Sequence, residues 1–490
     1  MDKKLMIGQR LAVGFDGPTI PQDFVDLVRD YKVGNIILFR RNVKSYKQLR
    51  ALCADIRELV VRETGIEPYI MIDEECGRVS RLEHIAVKTP CALAIGSTND
   101  PENARKIGRL IGEELRSTGI NFNLAPVLDC LTHPEASGGN RSFATEPEKV
   151  AEFGCAYIQG VQESGVLACG KHFPGHGDTN VDSHLALPVV DKPAEVVWNR
   201  ELVSFRAAIA AGVKAIMSAH VVFPAFEPER IPGTVSRNVI TGLMREKLGF
   251  KGIILSDGME MNAVMDMFGI EEGTRRALAA GIDIALICHS ADQARAACNY
   301  IYEALDNGKL DPKEAEERYQ HIIDCKKSLP LVAGNQDEFG NECQKATAKA
   351  VMREAVRVSY APEGKPLPRL GADTVLLGVD ARAESFASDE VPLNGAKRCA
   401  EAFGGRCIGL DEEAPEGTKT AVVFLTRHPD LPRAVNAANR LADAGIEVIA
   451  ADMNVPYCLK GLAPSIWHVM AWQYDELVME VLLEVLRGRA

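Results

Sequence analysis

Fourteen consecutive residues carry the densest chemistry in the chain. Residues 171–184 read KHFPGHGDTNVDSH, with three histidines, two aspartates, a lysine and a Pro-Gly-His-Gly bend. The apolar run 166–170 (VLACG) leads into them, the pattern of a buried strand ending in a tightly bent polar loop. In an extended loop, residues i and i+2 point the same way, so Asp182 and His184 can meet. A carboxylate beside an imidazole fixes its tautomer and raises its basicity. Such a pair can donate and then remove a proton near neutral pH. Two other readings stand beside this one. The loop can be a solvated surface segment, or His172, His176, Asp178 and His184 can ligate a metal. Their spacing matches no standard zinc pattern, and no metal is expected.

A second cluster of candidates lies at other strand ends. Residues 253–259 read IILSDGM, which places Asp257 at the end of an apolar run. A carboxylate there can attack a carbon electrophile and form a covalent intermediate; the alternative is a cap for a helix over 259–265. Lys171 and His172 close the strand before the long loop, and a cation with an imidazole suits hydroxyl groups or an anion. Arg141 in GGNRSF, and Asp73 and Arg81 in IDEECGRVSR, are further clamp candidates. Each of these alone is more often a salt-bridged structural residue.

The elements that must position them alternate. Apolar runs at 11–15, 36–39, 69–72, 122–126, 166–170, 215–218, 252–255 and 282–287 are separated mostly by helical patterns. Phe24, Leu27, Val28 and Tyr31, and Ile107, Leu110, Ile111 and Leu115, show the helical spacing. Eight βα units predict an α/β fold, an N-terminal (β/α)8 TIM barrel, with a doubly wound sheet as the alternative. Asp73, Lys171, His172, His220 and Asp257 then follow strands, on the face where barrel active sites lie. Residues 326–341 read as a boundary, a helix is expected over 342–359, and prolines at 362, 366 and 368 make a second break. Strands at 374–379, 420–425, 447–451 and 466–471, with helices at 431–444 and 475–487, predict a smaller C-terminal α/β sandwich. The expected division is a catalytic domain over 1–335, a linker with a helix over 336–368, and the sandwich over 369–490. The sandwich has no G-x-G-x-x-G turn, so no dinucleotide and no other cofactor is expected.

Composition narrows the partners. The net charge of −12 argues against nucleic acid, whose phosphates need clustered Lys and Arg. No apolar run approaches the roughly 18 residues of a membrane span, and no secretory leader is expected. Thirteen cysteines without a C-x-x-C pair fit reduced thiols, hence a cytoplasmic location. The oligomeric state is left open.

Together these segments resemble glycoside hydrolase family 3, and within it the β-N-acetylhexosaminidase branch. That branch carries KH(F/I)PGHG-x4-D(S/T)H, and residues 171–184 match every fixed place. Residues 37–42 (ILFRRN), 72–82, 125–129 (APVLD), 141–143, 218–224 (SAHVVFP) and 248–261 extend the likeness over nearly the whole chain. The resemblance implies a TIM barrel, a shortened C-terminal sandwich and a retaining mechanism. It implies Asp257 as nucleophile, His184 as acid/base and Asp182 as its partner. It also implies Asp73, Arg81, Arg141, Lys171 and His172 as the groups that hold the terminal sugar of a small glycan. The chain has Cys76 and Gly258 where the family often has Gly and Asp, and it has Ser-Gly-Gly-Asn before Arg141 where the family often has an apolar-Ile-Gly form. The expected activity is that of an exo-β-N-acetylglucosaminidase. Phosphorolysis at the same site, a β-glucosidase, a sugar-binding protein on a retired scaffold and a metal hydrolase are the alternatives.

Overall fold

The structure, a computed structural model, describes residues 2–132, 139–178, 187–328, 334–378, 395–426 and 430–488. Eight parallel strands form a closed barrel: β1 (Leu11–Val13), β2 (Asn35–Leu38), β3 (Tyr69–Ile72), β4 (Phe122–Asn123), β5 (Leu167–Phe173), β6 (Ala215–Ser218), β7 (Ile253–Gly258) and β8 (Ile284–Ile287). Each strand pairs with its neighbours in sequence, and Leu11 of β1 opposite Ala285 of β8 closes the ring. Closure rules out the doubly wound alternative, which would leave two sheet edges.

The strands are apolar on both faces for a definite reason. Alternate side chains turn to opposite faces. Ala12, Ile37, Tyr69, Met71, Phe122, Cys169, Met217, Leu255 and Leu286 pack inside the barrel. Leu11, Val13, Ile36, Leu38, Ile70, Ile72 and Ile254 pack outward against the helices. Each fully buried Leu, Ile or Phe contributes roughly 1.5–3 kcal/mol. The same alternation aims the site. Asp73, Lys171 and Asp257 each stand two residues beyond an inward-facing residue: Met71, Cys169 and Leu255. The strand parity therefore carries all three to the barrel mouth.

Helix Pro101–Thr118 shows how the outer layer is specified. Asp100 caps it by accepting from the Glu102 N–H, proline opens it, and Gly119 at φ +96° ends it. It packs on helix Pro147–Glu163 at close range. A Cβ at Gly108 would stand 2.4 Å from the Tyr157 carbonyl oxygen, and one at Gly160 would stand 2.1 Å from that of Arg105.

The C-terminal sheet comprises β9 (Arg357–Tyr360), β10 (Thr374–Leu377), β11 (Arg406–Cys407), β12 (Thr420–Leu425), β13 (Glu447–Asp452) and β14 (Trp467–Met470), in the spatial order β9-β14-β13-β12-β10-β11. Only β9 is antiparallel to its neighbour. Val375, Val423 and Val448 face helix Leu431–Asp443, and Leu376, Phe424 and Ile449 face helix Glu476–Leu486. The expectation of one helix over 342–359 is corrected. The helix ends at Ala355, and the next residues pair with the sheet edge as β9. The edge offers backbone partners that a continued helix could not use. A hairpin of Glu74–Cys76 and Val79–Ser80 was also not foreseen. Among the described residues no helix is long and apolar enough to cross a membrane.

Gly160→Ala is expected to lower the unfolding free energy by about 1–3 kcal/mol through overpacking, although Ala favours the helix itself by roughly 1 kcal/mol. A drop in the urea midpoint at constant m-value is the readout. An unchanged midpoint would mean that the helix pair tolerates separation.

Candidate active site

The mouth of the barrel is organised around charges that share partners. The Lys171 ammonium lies 2.7 Å from Asp73 Oδ1 and 2.6 Å from Glu75 Oε1. Arg141 grips Glu75 with both arms of its fork, each at 2.7 Å. Arg81 stands 4.0 Å from the other oxygen of Asp73. Two carboxylates and three cations from the ends of β3, β4 and β5 thus form one network. Glu75 and Lys171 are almost wholly buried in it. Burial pushes the Glu75 carboxyl up, but the charges of Arg141 and Lys171 more than offset this, so it titrates well below its ordinary value. Burial alone would lower Lys171; Asp73 and Glu75 reverse the sign and raise it.

His172 is fixed from a different side. Its Nδ1 lies 2.7 Å from Asp129 Oδ2, and its backbone N–H also donates to that carboxylate. A carboxylate only accepts, so Nδ1 carries the proton and Nε2 is the ring's other site. The His176 backbone N–H donates to Asp129 Oδ1 at 2.7 Å. Burial raises the Asp129 carboxyl, His172 lowers it, and the net shift is downward.

Asp257 lies near the end of β7, half-buried, with Oδ1 accepting from the Gly258 N–H at 2.8 Å. It caps no helix, because the next one begins at Asn262 with Met261 at its cap. Its charge is felt at Cys169, His176 and Cys288, which ties it to the same mouth. The Gly258 carbonyl beside it is held by His220 Nε2 at 2.9 Å, and His220 Nδ1 meets Thr234 Oγ1 at 2.8 Å. The carbonyl can only accept, so Nε2 is protonated, while the Thr234 hydroxyl also donates to the Ala219 carbonyl at 3.0 Å.

The structure brings together Asp73, Arg81, Arg141 and Lys171, and sets His172 and Asp257 on the same rim. Asp182 and His184 lie outside the described residues. Of the alternative metal ligands, His172 is held by Asp129, and Asp178 lies 2.9 Å from Arg200 and 3.6 Å from Lys192. Among the described residues no group of three or more His, Cys, Asp and Glu could hold a metal ion. Sequence reasoning passed over Glu75, Asp129 and the positioning of Gly258 by His220. Glu75 had a signal, since it stands two residues from Asp73; Asp129 ended the APVLD run as the other acids end theirs.

A closed βα barrel with acidic and cationic groups converging on its C-terminal rim has the layout of a barrel enzyme. The description "Glycosyl hydrolase family 3 N terminal domain" matches residues 3–325, and the chain belongs to that family. It is 33% identical over 443 residues to the beta-hexosaminidase A of Pseudoalteromonas piscicida, covering 85% of this chain and 74% of the relative. A glycoside hydrolase family 3 beta-N-acetylglucosaminidase from Paenibacillus sp. str. FPU-7 superposes over 100% of this chain and 97% of its own, with a TM-score of 0.88 at 30% identity. A beta-glucoside phosphorylase shares the fold at a TM-score of 0.84 and 18% identity, over 100% of this chain and 92% of its own.

Glu75→Gln is expected to cost about 3 kcal/mol, since it takes the carboxylate partner from Arg141 and leaves the buried Lys171 with Asp73 alone. The sign of its pH dependence follows from the depressed folded-state value. Glu75 contributes fully above its ordinary 4.5 and progressively less as pH falls below that. The gap between wild type and variant in denaturation experiments should therefore begin to close below about pH 4.5. A gap that widens on acidification would refute the paired-carboxylate reading.

Proposed function

We propose that the protein is a retaining exo-β-N-acetylglucosaminidase that releases terminal β-linked N-acetylglucosamine from small cytoplasmic glycans, muropeptide or chitooligosaccharide fragments. The observation that carries this reading is the placement of Asp257 at the end of β7, on the rim that also bears the Lys171–Asp73–Glu75–Arg141 network. The names of the hexosaminidase and N-acetylglucosaminidase relatives support the choice of sugar. The catalytic unit is residues 1–335, joined through 336–368 to a sandwich over 369–490.

In the first step an Asp257 oxygen attacks the anomeric carbon as the glycosidic C–O bond breaks. The His184 imidazolium gives its proton to the departing oxygen, and Asp182 stabilises the cationic ring. The product is a glycosyl ester on Asp257 and a neutral His184. In the second step His184 takes a proton from water, the water oxygen attacks the same carbon, and the ester opens to regenerate the carboxylate. Two inversions retain the configuration. Asp73, Arg81, Arg141, Lys171 and His172 bind the hydroxyls of the terminal sugar, and their ordered network spares the reacting complex a reorganisation cost.

Release of aryl alcohol from an aryl N-acetyl-β-glucosaminide, beside the β-glucoside and each with and without phosphate, tests the reading. Free N-acetylglucosamine in both buffers is expected. A phosphate-dependent sugar 1-phosphate would make the enzyme a phosphorylase, and turnover of the glucoside alone a β-glucosidase. Asp257→Ala should cut turnover by roughly ten-thousandfold or more with the fold kept. For His184→Ala, the loss should reach about a hundredfold or more on natural glycans but be small on aryl glycosides with good leaving groups. Equal losses on both would remove the acid role.

A further inference from the structure

The Glu75–Arg141 pair is anchored from outside the barrel. Helix Glu476–Leu486 is preceded by Trp472 and Gln473, which leave the C-terminal sheet after β14 and turn toward the barrel. Trp472 holds φ +75°, the left-handed region that a tryptophan adopts reluctantly. Its indole N–H fixes it by donating to the Ala355 carbonyl at 2.9 Å. The Trp472 carbonyl oxygen accepts from Asn140 Nδ2 at 3.0 Å, and the Cys91 thiol lies 3.6 Å from it. Asn140 directly precedes Arg141. Among the described residues its Oδ1 is buried without a hydrogen-bond partner, and its Nδ2 ties it to the C-terminal domain.

Gln473 holds the other wall. Its Oε1 accepts from the Cys91 N–H, and its Nε2 donates to the Thr89 carbonyl at 3.1 Å. Thr89 and Cys91 in turn support the turn that follows Glu75. The Gly77 N–H meets Thr89 Oγ1 at 3.4 Å, and a Cβ at Gly77 would stand 2.5 Å from that of Cys91. Helix Ala92–Ser97 continues from Cys91 and packs so closely on the Arg141 loop that a Cβ at Gly96 would stand 1.8 Å from the Phe143 carbonyl oxygen. Cys91, Leu93, Ala94 and Leu131 share one apolar cluster with Val423, Leu425 and Trp472.

We infer that Trp472–Gln473 is a clamp through which the C-terminal domain sets the Glu75–Arg141 pair, and with it the sugar-binding geometry. The inference rests on the glycosidase reading above. Asn140 and Gln473 are positioning residues, because neither touches the sugar groups except through Arg141 and the turn after Glu75. The barrel carries the reacting groups, and the sandwich fixes how tightly two of its loops hold the substrate.

The test is steady-state kinetics on the aryl glycoside that the wild type cleaves. Asn140→Ala and Gln473→Ala should raise KM by about tenfold with kcat changed by less than roughly threefold, because Arg141 grips hydroxyls in ground state and transition state alike. Trp472→Phe keeps the carbonyl but loses the indole bond that fixes it, so it should raise KM in the same sense as Asn140→Ala, with kcat little changed. Asn140→Ala placed on an Arg141→Ala background should add almost no further rise in KM, since both act through one contact. A merely structural role would lower Tm or the active fraction with KM unmoved. Wild-type KM in Asn140→Ala and Gln473→Ala, or full additivity with Arg141→Ala, overturns the clamp. Silence of the wild type on every glycoside is a different outcome, and it removes the glycosidase reading together with the clamp built on it.

Discussion

The buried network Arg141–Glu75–Lys171–Asp73 is the constraint on which the rest of the site depends. Its members come from the ends of three strands, and Glu75 and Lys171 are almost wholly out of water. An isolated charge in such a place would be neutralised or would unfold the loop that bears it. Here each charge is compensated only when all the strand ends are brought together, so the network is complete only in the closed barrel. It adds little net stability, because desolvation consumes most of the Coulombic gain. What it provides is order: cationic and acidic groups stand at fixed positions before any sugar arrives.

The barrel supplies that order through parity and closure. Alternation along β3, β5 and β7 turns the residue two places beyond the apolar core into the mouth. A one-residue slip in any of these strands would point its acid or lysine outward into the helix layer. Close helix packing at Gly108 and Gly160 holds the outer layer on the strands, and the Asp129 carboxylate ties the β4 end to the loop after β5 through three backbone and ring N–H groups.

The charged network and Asp257 share one rim but come from different strands. The network lies at the ends of β3, β4 and β5, and Asp257 lies near the end of β7, with its backbone neighbour held by His220. Binding groups that already satisfy one another need not move when charge develops at the anomeric carbon. The C-terminal domain enters on the binding side, through Asn140 and Cys91.

The sequence by itself determined the barrel and most of its mouth. The eight apolar runs fall on the eight strands because a parallel strand covered on both faces has no polar positions to disguise it. The place of Asp73, Arg81, Arg141, Lys171, His172 and Asp257 at the mouth was legible because they follow such strands or the turns after them. What only the tertiary structure decided is partnership. Nothing in the spacing tells that Glu75 lies between Arg141 and Lys171, because 66 residues separate it from one of them and the pairing exists only once the barrel is closed. The partners of Asp129, His220 and Trp472 were hidden for the same reason, since each acts through a backbone group or ring distant in sequence. The strand at 357–360 escaped local reading as well: its residues can extend a helix, and only the free edge of β14 makes the extended form the better satisfied one.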